Sequence, residues 1–202
     1  MASTPERLIL ASASTARAAV LTAAGVNFAI EPAALDETAL KDLVKSRGDS
    51  AIECALALAA EKARAVSRRH PDALAIGADQ LLVAGLDWFD KPQDLAEARV
   101  HLTRLRGRVH TLATAVCVAQ NGEVLWQTVS CPELTMRDFS DAFLDAYIAA
   151  EGESLLASVG AYRLEGKGVQ LFARIVGDHF AVLGLPLLEL LGFLRERGMV
   201  LD

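Results

Sequence analysis

A chain of 202 residues, 52% of them apolar, can bury a full core without disulfide staples and suits one domain of ordinary size. Its formal net charge of -6 excludes a protein that holds duplex nucleic acid through excess Lys and Arg, but leaves room for a small anionic ligand at a local basic cluster. Cys54, Cys117 and Cys131 share no C-x-x-C spacing, which excludes a zinc knuckle and a disulfide framework; the polar start (Pro5, Glu6, Arg7) and the short apolar run from Leu8 give neither a signal sequence nor a membrane span, so the expectation is a cytoplasmic protein with reduced thiols.

Leu8 to Ala11 reads as a short buried strand, and Ser12 and Ser14 offer caps for a helix that runs to about Gly25. Phe28-Ala29-Ile30 continues as a strand until Pro32 breaks it, which leaves the acidic pair Asp36-Glu37 in a loop or at a helix start. From Ala51 to about His70, the residues Ile52, Ala55, Leu56, Ala59, Ala63 and Val66 recur at helical spacing, with Lys62 on the flank of that face, about 60° from its centre. Leu74 to Val83 reads as a buried strand interrupted or ended near Asp79, and Trp88 to Pro92 as a turn that brings up Lys91. A helix carried by Leu95, Ala98, Leu102 and Leu105 stops at Gly107. Strands over Thr111 to Ala119 and Glu123 to Ser130 flank Asn121-Gly122, a strong hairpin signal that makes the sheet mixed. A helix over Asp141 to Ala150, irregular sequence from Gly152 to Gly168, a strand near Val169 to Ile175 and a helix started by Pro186 and stopped by Gly198 complete the chain. There is no internal repeat, low-complexity tract or linker.

G-x-G-x-x-G, G-x-S-x-G and H-E-x-x-H are absent. The segment Gly160 to Gly168 fails as a phosphate loop, because five residues separate Gly160 from Gly166-Lys167 and Gly168 replaces the Ser or Thr that would hold magnesium. His70, His101 and His179 stand singly, which fits surface or packing roles better than metal ligation. Acidic and cationic residues spread along the chain at element ends remain, Arg17, Asp36, Glu37, Lys62, Asp79, Lys91 and Glu165, in company with the hydroxyls of Ser12 and Ser14. Such an inventory suits phosphate chemistry, in which carboxylates hold Mg²⁺ and cations cover phosphate oxygens, while a helix N-terminus adds an anion seat. Asp79, with Gly77 two residues before it, stands where a strand end would open onto a ligand crevice. A solvated turn residue, among ordinary surface charges, is the alternative that the residues alone leave open.

Taken together, Leu10-Ala11-Ser12-Ala13-Ser14 with Arg17, Asp36-Glu37, Ala60-Glu61-Lys62-Ala63, Gly77-Ala78-Asp79-Gln80, Lys91-Pro92, Leu105-Arg106-Gly107-Arg108-Val109-His110, Gly160-Ala161-Tyr162 and Gly184-Leu185-Pro186 resemble the Maf family of nucleotide pyrophosphatases, in order and over nearly the whole chain. The resemblance implies a single Maf-like domain over residues 1–202, with an α/β fold like that of inosine triphosphate pyrophosphatases: an elongated mixed sheet flanked by helices, two lobes around a cleft, and a homodimer. It further implies hydrolysis of a nucleoside triphosphate between the α and β phosphates with Mg²⁺ or Mn²⁺, without nucleic-acid or membrane partners. In that scheme Asp79 accepts the proton and shares the metal with Glu37 (Asp36 being a further candidate), Lys62, Lys91 and Arg17 cover the triphosphate, and Ser12 and Ser14 hydrogen-bond its oxygens.

Three positions that the family uses for substrate choice depart from its commonest pattern: Ala16 stands for an arginine, Gln80 for Thr and Glu165 for Gln. The Gln80 and Glu165 combination is similar to the branch that prefers 7-methylguanosine triphosphate. A carboxylate only accepts hydrogen bonds, which suits the N1–H and N2–H₂ donors of guanine and the positive charge that N7 methylation places on the base. Glu165 paired with Arg163 or Lys167 is the competing reading, and a thymidine or uridine triphosphate enzyme, a broad-specificity enzyme, or a nucleotide-binding regulator of septum formation are the competing functions.

Overall fold

A computed structural model describes residues 7–201; Pro5 and Glu6 of the polar start lie outside them. β1 (Arg7–Leu10), α1 (Thr15–Ala23), β2 (Ala29–Ile30), α2 (Glu37–Ser46) and α3 (Ala51–Arg69) precede the long strand β3 (Ala73–Ala84). β4 (Asp87–Phe89), α4 (Leu95–Leu105), β5 (Val109–Gln120), β6 (Glu123–Ser130), β7 (Glu133–Met136), α5 (Asp141–Glu151), β8 (Phe172–Val176), α6 (His179–Val182) and α7 (Leu187–Glu196) follow, with 3₁₀ turns between α5 and β8. The fold is the expected mixed α/β arrangement: an open eight-stranded sheet in the order β2-β1-β3-β5-β7-β8, with β4 on β3 and β6 on β5. β1 runs parallel to β2 and β3, and the other pairings are antiparallel. Among the described residues no helix is long and apolar enough to cross a membrane.

The spine of the sheet is β3 against β5, paired from Ala75↔Ala119 to Val83↔Thr111. On its other edge β3 has two short partners, β1 as far as Ile76 and β4 from Leu82 onward. Between them the edge of β3 is uncovered by any strand, and this notch is where the chain leaves β1 for α1. The strand therefore does not end near Asp79 as expected. It runs straight through, and what ends there are its neighbours.

Local chemistry accounts for most elements. Ser50 caps α3 in a reciprocal capping box with Glu53, and Arg68 and Arg69 sit in its last turn, where cations favour the helix dipole. Asn121 (φ 49°) and Gly122 (φ 82°) both take the left-handed conformation that a two-residue hairpin turn requires. Three readings of element type or bounds need correction, and one strand was missed. Trp88 belongs to strand β4 rather than a turn, β7 was not foreseen, the segment from Val169 becomes strand only at Phe172, and Pro186 is the cap of α7 rather than its first residue.

The buried face of α3 is also rotated from its expected position. Ile52 is exposed, while Cys54, Ala55, Leu58, Ala59, Lys62, Ala63 and Val66 face inward. Small residues win because α3 lies unusually close to β3: a Cβ built on Gly77 would stand 2.1 Å from the Ala59 carbonyl oxygen and 2.6 Å from the Ala63 nitrogen. That close approach carries Lys62 from the flank of the helix to a buried position, 7% exposed.

One apolar core gathers Leu82, Phe89, Leu102, Leu105 and Leu144 around β4, α4 and α5. Another gathers Leu10, Leu21, Ile76, Leu190 and Leu194 around β1, α1 and α7. A cavity of about 1560 Å³ is lined by residues of both groups, Tyr162 and Leu187 among them, together with Ser14 and Glu165, and reaches the notch at Asp79 and Gln80.

Candidate active site at the notch of the sheet

Alternation along β3 sends Asp79 to the face covered by α3 and Gln80 to the opposite face, beside α6; both line the cavity because it passes through the notch. Asp79 is 5% exposed, and its Oδ1 accepts a hydrogen bond of 2.6 Å from Lys62 Nζ. The same ammonium lies 2.9 Å from Glu37 Oε1, so one buried lysine joins two carboxylates brought in by β3 and by the first turn of α2. Desolvation in the cleft pushes the Glu37 carboxyl up, but Lys62, Lys41 and Lys91 together outweigh it and hold it below the usual carboxylate range. Asp36 has a different task. Its Oδ1 accepts from Ala39 N at 3.0 Å as the cap of α2, so of the acidic pair only Glu37 faces the site.

Ser14 caps α1, its Oγ accepting from Arg17 N at 3.4 Å, and Ser12 Oγ accepts from Ser14 N at 3.2 Å and from Arg17 Nη1 at 3.1 Å. Arg17 Nε donates to the Gly184 carbonyl at 2.8 Å, tying the first loop to the turn before α7. Gly184 sits at φ 99°, a left-handed conformation, and a Cβ there would press to 3.4 Å from that same Nε. Desolvation lowers the pKa of Arg17 against the opposing pull of Asp79 and Glu37. Lys91 also lines the cavity and, among the described residues, makes no ion pair. Desolvation and the nearby cations Arg17 and Lys62 depress its pKa, with Glu37 and Asp79 opposing. Cations held together without enough anions between them favour an anionic guest.

Of the three positions expected to choose the base, Ala16, Gln80 and Glu165 all line the cavity. The Gln80 amide is already engaged, Nε2 donating to Thr114 Oγ1 at 2.9 Å and to the carbonyl of Ala181 at 2.8 Å. Glu165 is exposed, and its Oε1 accepts from Arg163 Nε at 3.3 Å, the competing pair foreseen from the sequence; no ion pair joins it to Lys167.

Two further pairs escaped the sequence reading. Lys41, one turn after Glu37 on α2, lines the cavity and binds Asp90 at 2.5 Å, and that i, i+4 spacing from Glu37 was the one available signal. Buried His110 meets the Tyr162 hydroxyl at 2.9 Å, beneath a turn where Gly160 (φ 74°) and Ala161 (φ 58°) are both left-handed. Burial drives His110 down to about 4, so it is neutral at physiological pH.

The donor set also bears on metal binding. Among the described residues no group of three or more His, Cys, Asp and Glu side chains could cage an ion. Two carboxylates facing a cavity are the complement with which Mg²⁺ is commonly held, its other positions filled by waters and substrate phosphates. Glu37 and Asp79 fit that description, and the three single histidines do not enter it: His70 pairs with Glu31 at 2.6 Å, His101 packs edge-on against Phe89, and His179 against Phe180. Cys54, Cys117 and Cys131 are free thiols.

Residues 7–197 match the family described as Maf-like protein. The chain is 55% identical to a nucleoside triphosphate pyrophosphatase of Granulibacter bethesdensis, over 94% of this chain and 96% of that one. It is 49% identical to a 7-methyl-GTP pyrophosphatase of Rhizobium meliloti, over 96% of this chain and 97% of that one. A nucleoside triphosphate pyrophosphatase of Rhodospirillum rubrum is 48% identical, over 96% of each chain.

Proposed function

The chain belongs to the Maf family, and from that premise we propose that it hydrolyses the α-β phosphoanhydride of a nucleoside triphosphate, releasing a monophosphate and pyrophosphate. The observation that carries the reading is the buried Asp79 in the sheet notch, joined through Lys62 to Glu37 and facing a cavity where Lys91, among the described residues, makes no ion pair.

Glu37 and Asp79 would hold Mg²⁺ or Mn²⁺, which when bound supplies charge neutralisation on the triphosphate and acidifies water. Asp79 would orient a water and take its proton as that water attacks the α-phosphorus. Lys62 keeps the Asp79 oxygen fixed and offsets one of the two carboxylate charges, leaving the other to attract the metal. Lys91 and Arg17 would stabilise charge growing on the departing pyrophosphate, where one fixed donor is typically worth on the order of 10²-fold in rate. Ser12 and Ser14 would add hydrogen bonds at the start of α1.

For the base, 7-methylguanine is the preferred guest, because Glu165 brings an anionic acceptor to the cavity wall, and a relative of this chain carries 7-methyl-GTP in its name. A broader preference is the second reading. It is favoured by the Arg163 partner that already balances Glu165. Turnover of a triphosphate panel with Mg²⁺ or Mn²⁺ separates these. Wild type should release pyrophosphate, Asp79→Asn should lose at least about 10²-fold, and Glu165→Gln should narrow the preference for 7-methylguanosine triphosphate over uridine triphosphate. Near-wild-type turnover by Asp79→Asn sinks the assigned chemistry, and an unchanged ratio removes Glu165 from base choice.

A further inference from the structure

α2 carries Glu37 into the site, yet it has little apolar anchorage of its own. Ten residues are too few for a helix to persist in water unaided, and of these only Val44 is buried, with Leu40 partly so. What else holds it is polar: Lys62 Nζ lies 2.9 Å from Glu37 Oε1 at its first residue, and two contacts hold the turns that follow. Lys41 Nζ binds Asp90 Oδ1 at 2.5 Å, and Lys45 Nζ lies 4.9 Å from the centre of the Trp88 ring. Both contacts land on one strip of chain, residues 88–90, which leads directly into Lys91. The Lys41 side chain is 19% exposed and Asp90 55%, so the pair stands at the rim of the cavity with its cation end sheltered. On one side of it, one helical turn away, is Glu37; on the other, the next residue, is Lys91. Neither of the strip's contacts consumes the charge of Lys91.

We propose that Lys41 and Asp90 are a positioning pair that locks α2 to the segment after β4 and so sets the distance between Glu37 and Lys91, the carboxylate and the cation between which a metal-bound triphosphate would lie. This rests on the pyrophosphatase reading of the site. The pair acts through its neighbours: Asp90 holds Lys41 rather than substrate, and its loss would free the later turns of α2 and leave Glu37 tethered by Lys62 alone, so that the spacing of Glu37 and Lys91 loosens while the buried Lys62–Asp79 contact stays in place. A misplacement of about 1 Å can cost on the order of 10²-fold in rate, and a rim pair that relaxes only partly should cost about 10-fold.

The test uses Asp90→Asn, Lys41→Met, the double variant and Lys41→Arg in the full chain, read in two ways. In the first, each single change should lower kcat/KM about 10-fold, mostly by raising KM and the metal concentration needed for half-maximal rate. The double variant should be no worse than the poorer single one, and Lys41→Arg should keep most of the activity. In the second, amide hydrogen exchange over residues 37–46 should quicken in both single variants, while α3 is unchanged. Kinetic losses that multiply in the double variant, a near-wild-type Asp90→Asn, or unchanged exchange over 37–46 would each overturn the proposal; the second of these would make Lys41 a direct phosphate contact instead. If wild type turns over no triphosphate, the hydrolase reading fails by itself, and the exchange data alone decide for or against the pair.

Discussion

Gly77→Ala should damage both stability and chemistry, for one geometric reason. The added Cβ would lie 2.1 Å from the Ala59 carbonyl oxygen, 2.6 Å from the Ala63 nitrogen and 3.1 Å from the Ala63 Cβ. A carbon approaches a carbonyl oxygen to about 3.3 Å at closest, so α3 must withdraw from β3 by about 1 Å. No rotamer change relieves this, because two of the three obstacles are helix backbone. Overpacking of this kind typically costs about 1–3 kcal/mol, and backbone on the receiving side puts the expected loss near the top, about 3 kcal/mol. For a chain of this size that lowers Tm by about 10 °C. Lys62 lies between the two residues that must move, and its 2.6 Å contact to Asp79 would open with them. Turnover should then fall about 10²-fold in the protein that remains folded. Calorimetry and steady-state kinetics measure the two effects, with Gly192→Ala as the control: nothing lies within 4 Å of a Cβ at this position inside α7, and the change should stabilise by about 0.5–1 kcal/mol. A Gly77→Ala protein with Tm within about 2 °C of wild type, or with its turnover intact, would show that close packing of α3 on β3 does not set the Lys62–Asp79 geometry.

Two further outcomes are expected. Lys62→Met leaves the buried Asp79 carboxylate beside Glu37 without the cation that pairs with it directly and should destabilise by about 3 kcal/mol in urea unfolding without added metal, whereas Lys62→Met with Asp79→Asn should be less damaged than Lys62→Met alone; simple additivity would refute the coupling. His110 is held at about 4 in the folded protein against 6.5 for a free histidine, so its contribution is complete above pH 6.5 and disappears as pH falls from 6.5 toward 4, a loss of about 3 kcal/mol that urea unfolding should show in wild type and not in His110→Gln. Equal slopes in the two proteins over that window would contradict the assignment; His101, also depressed by burial, contributes with the same sign to both.

What was legible in the sequence was what depends on neighbours along the chain. Caps, hairpin turn and helical periodicity are local, and the elements they predict are present. Asp79 was singled out as a strand-end residue, and the reason it faces a crevice is instead that β1 ends at Leu10 and β4 begins pairing at Leu82, a matter of register between segments far apart in sequence. Lys62 was placed on the flank of α3 because periodicity counts Ile52 and Leu56 as strongly as alanine. The close approach at Gly77 instead selects the small-residue face, and no pattern within α3 encodes that glycine. The choice between Asp36 and Glu37 is made by one capping hydrogen bond. Lys41–Asp90 and His110–Tyr162 join residues 49 and 52 positions apart, where spacing carries no signal.

Gln80 shows how a residue can line a site and yet offer it little freedom. Its side-chain nitrogen faces the carbonyls of Ala181 and Val182, at 2.8 and 3.3 Å, and the Thr114 hydroxyl at 2.9 Å. Two carbonyl oxygens can only accept, so the atom facing them must be the amide NH₂ and not the oxygen. Both amide hydrogens are thereby committed to joining β3 and β5 to α6. The group left to meet a ligand is the Oε1 acceptor, and Glu165 is acceptor-only as an ionised carboxylate. A base read through these two residues would have to bring donors, as the N1–H and N2–H₂ edge of guanine does. Uracil, whose edge alternates acceptor and donor, would set its carbonyls against oxygen. Any preference exerted through Gln80 would therefore lie less in that residue alone than in the scaffold that fixes its orientation, the Thr114 hydroxyl and the two carbonyls of α6.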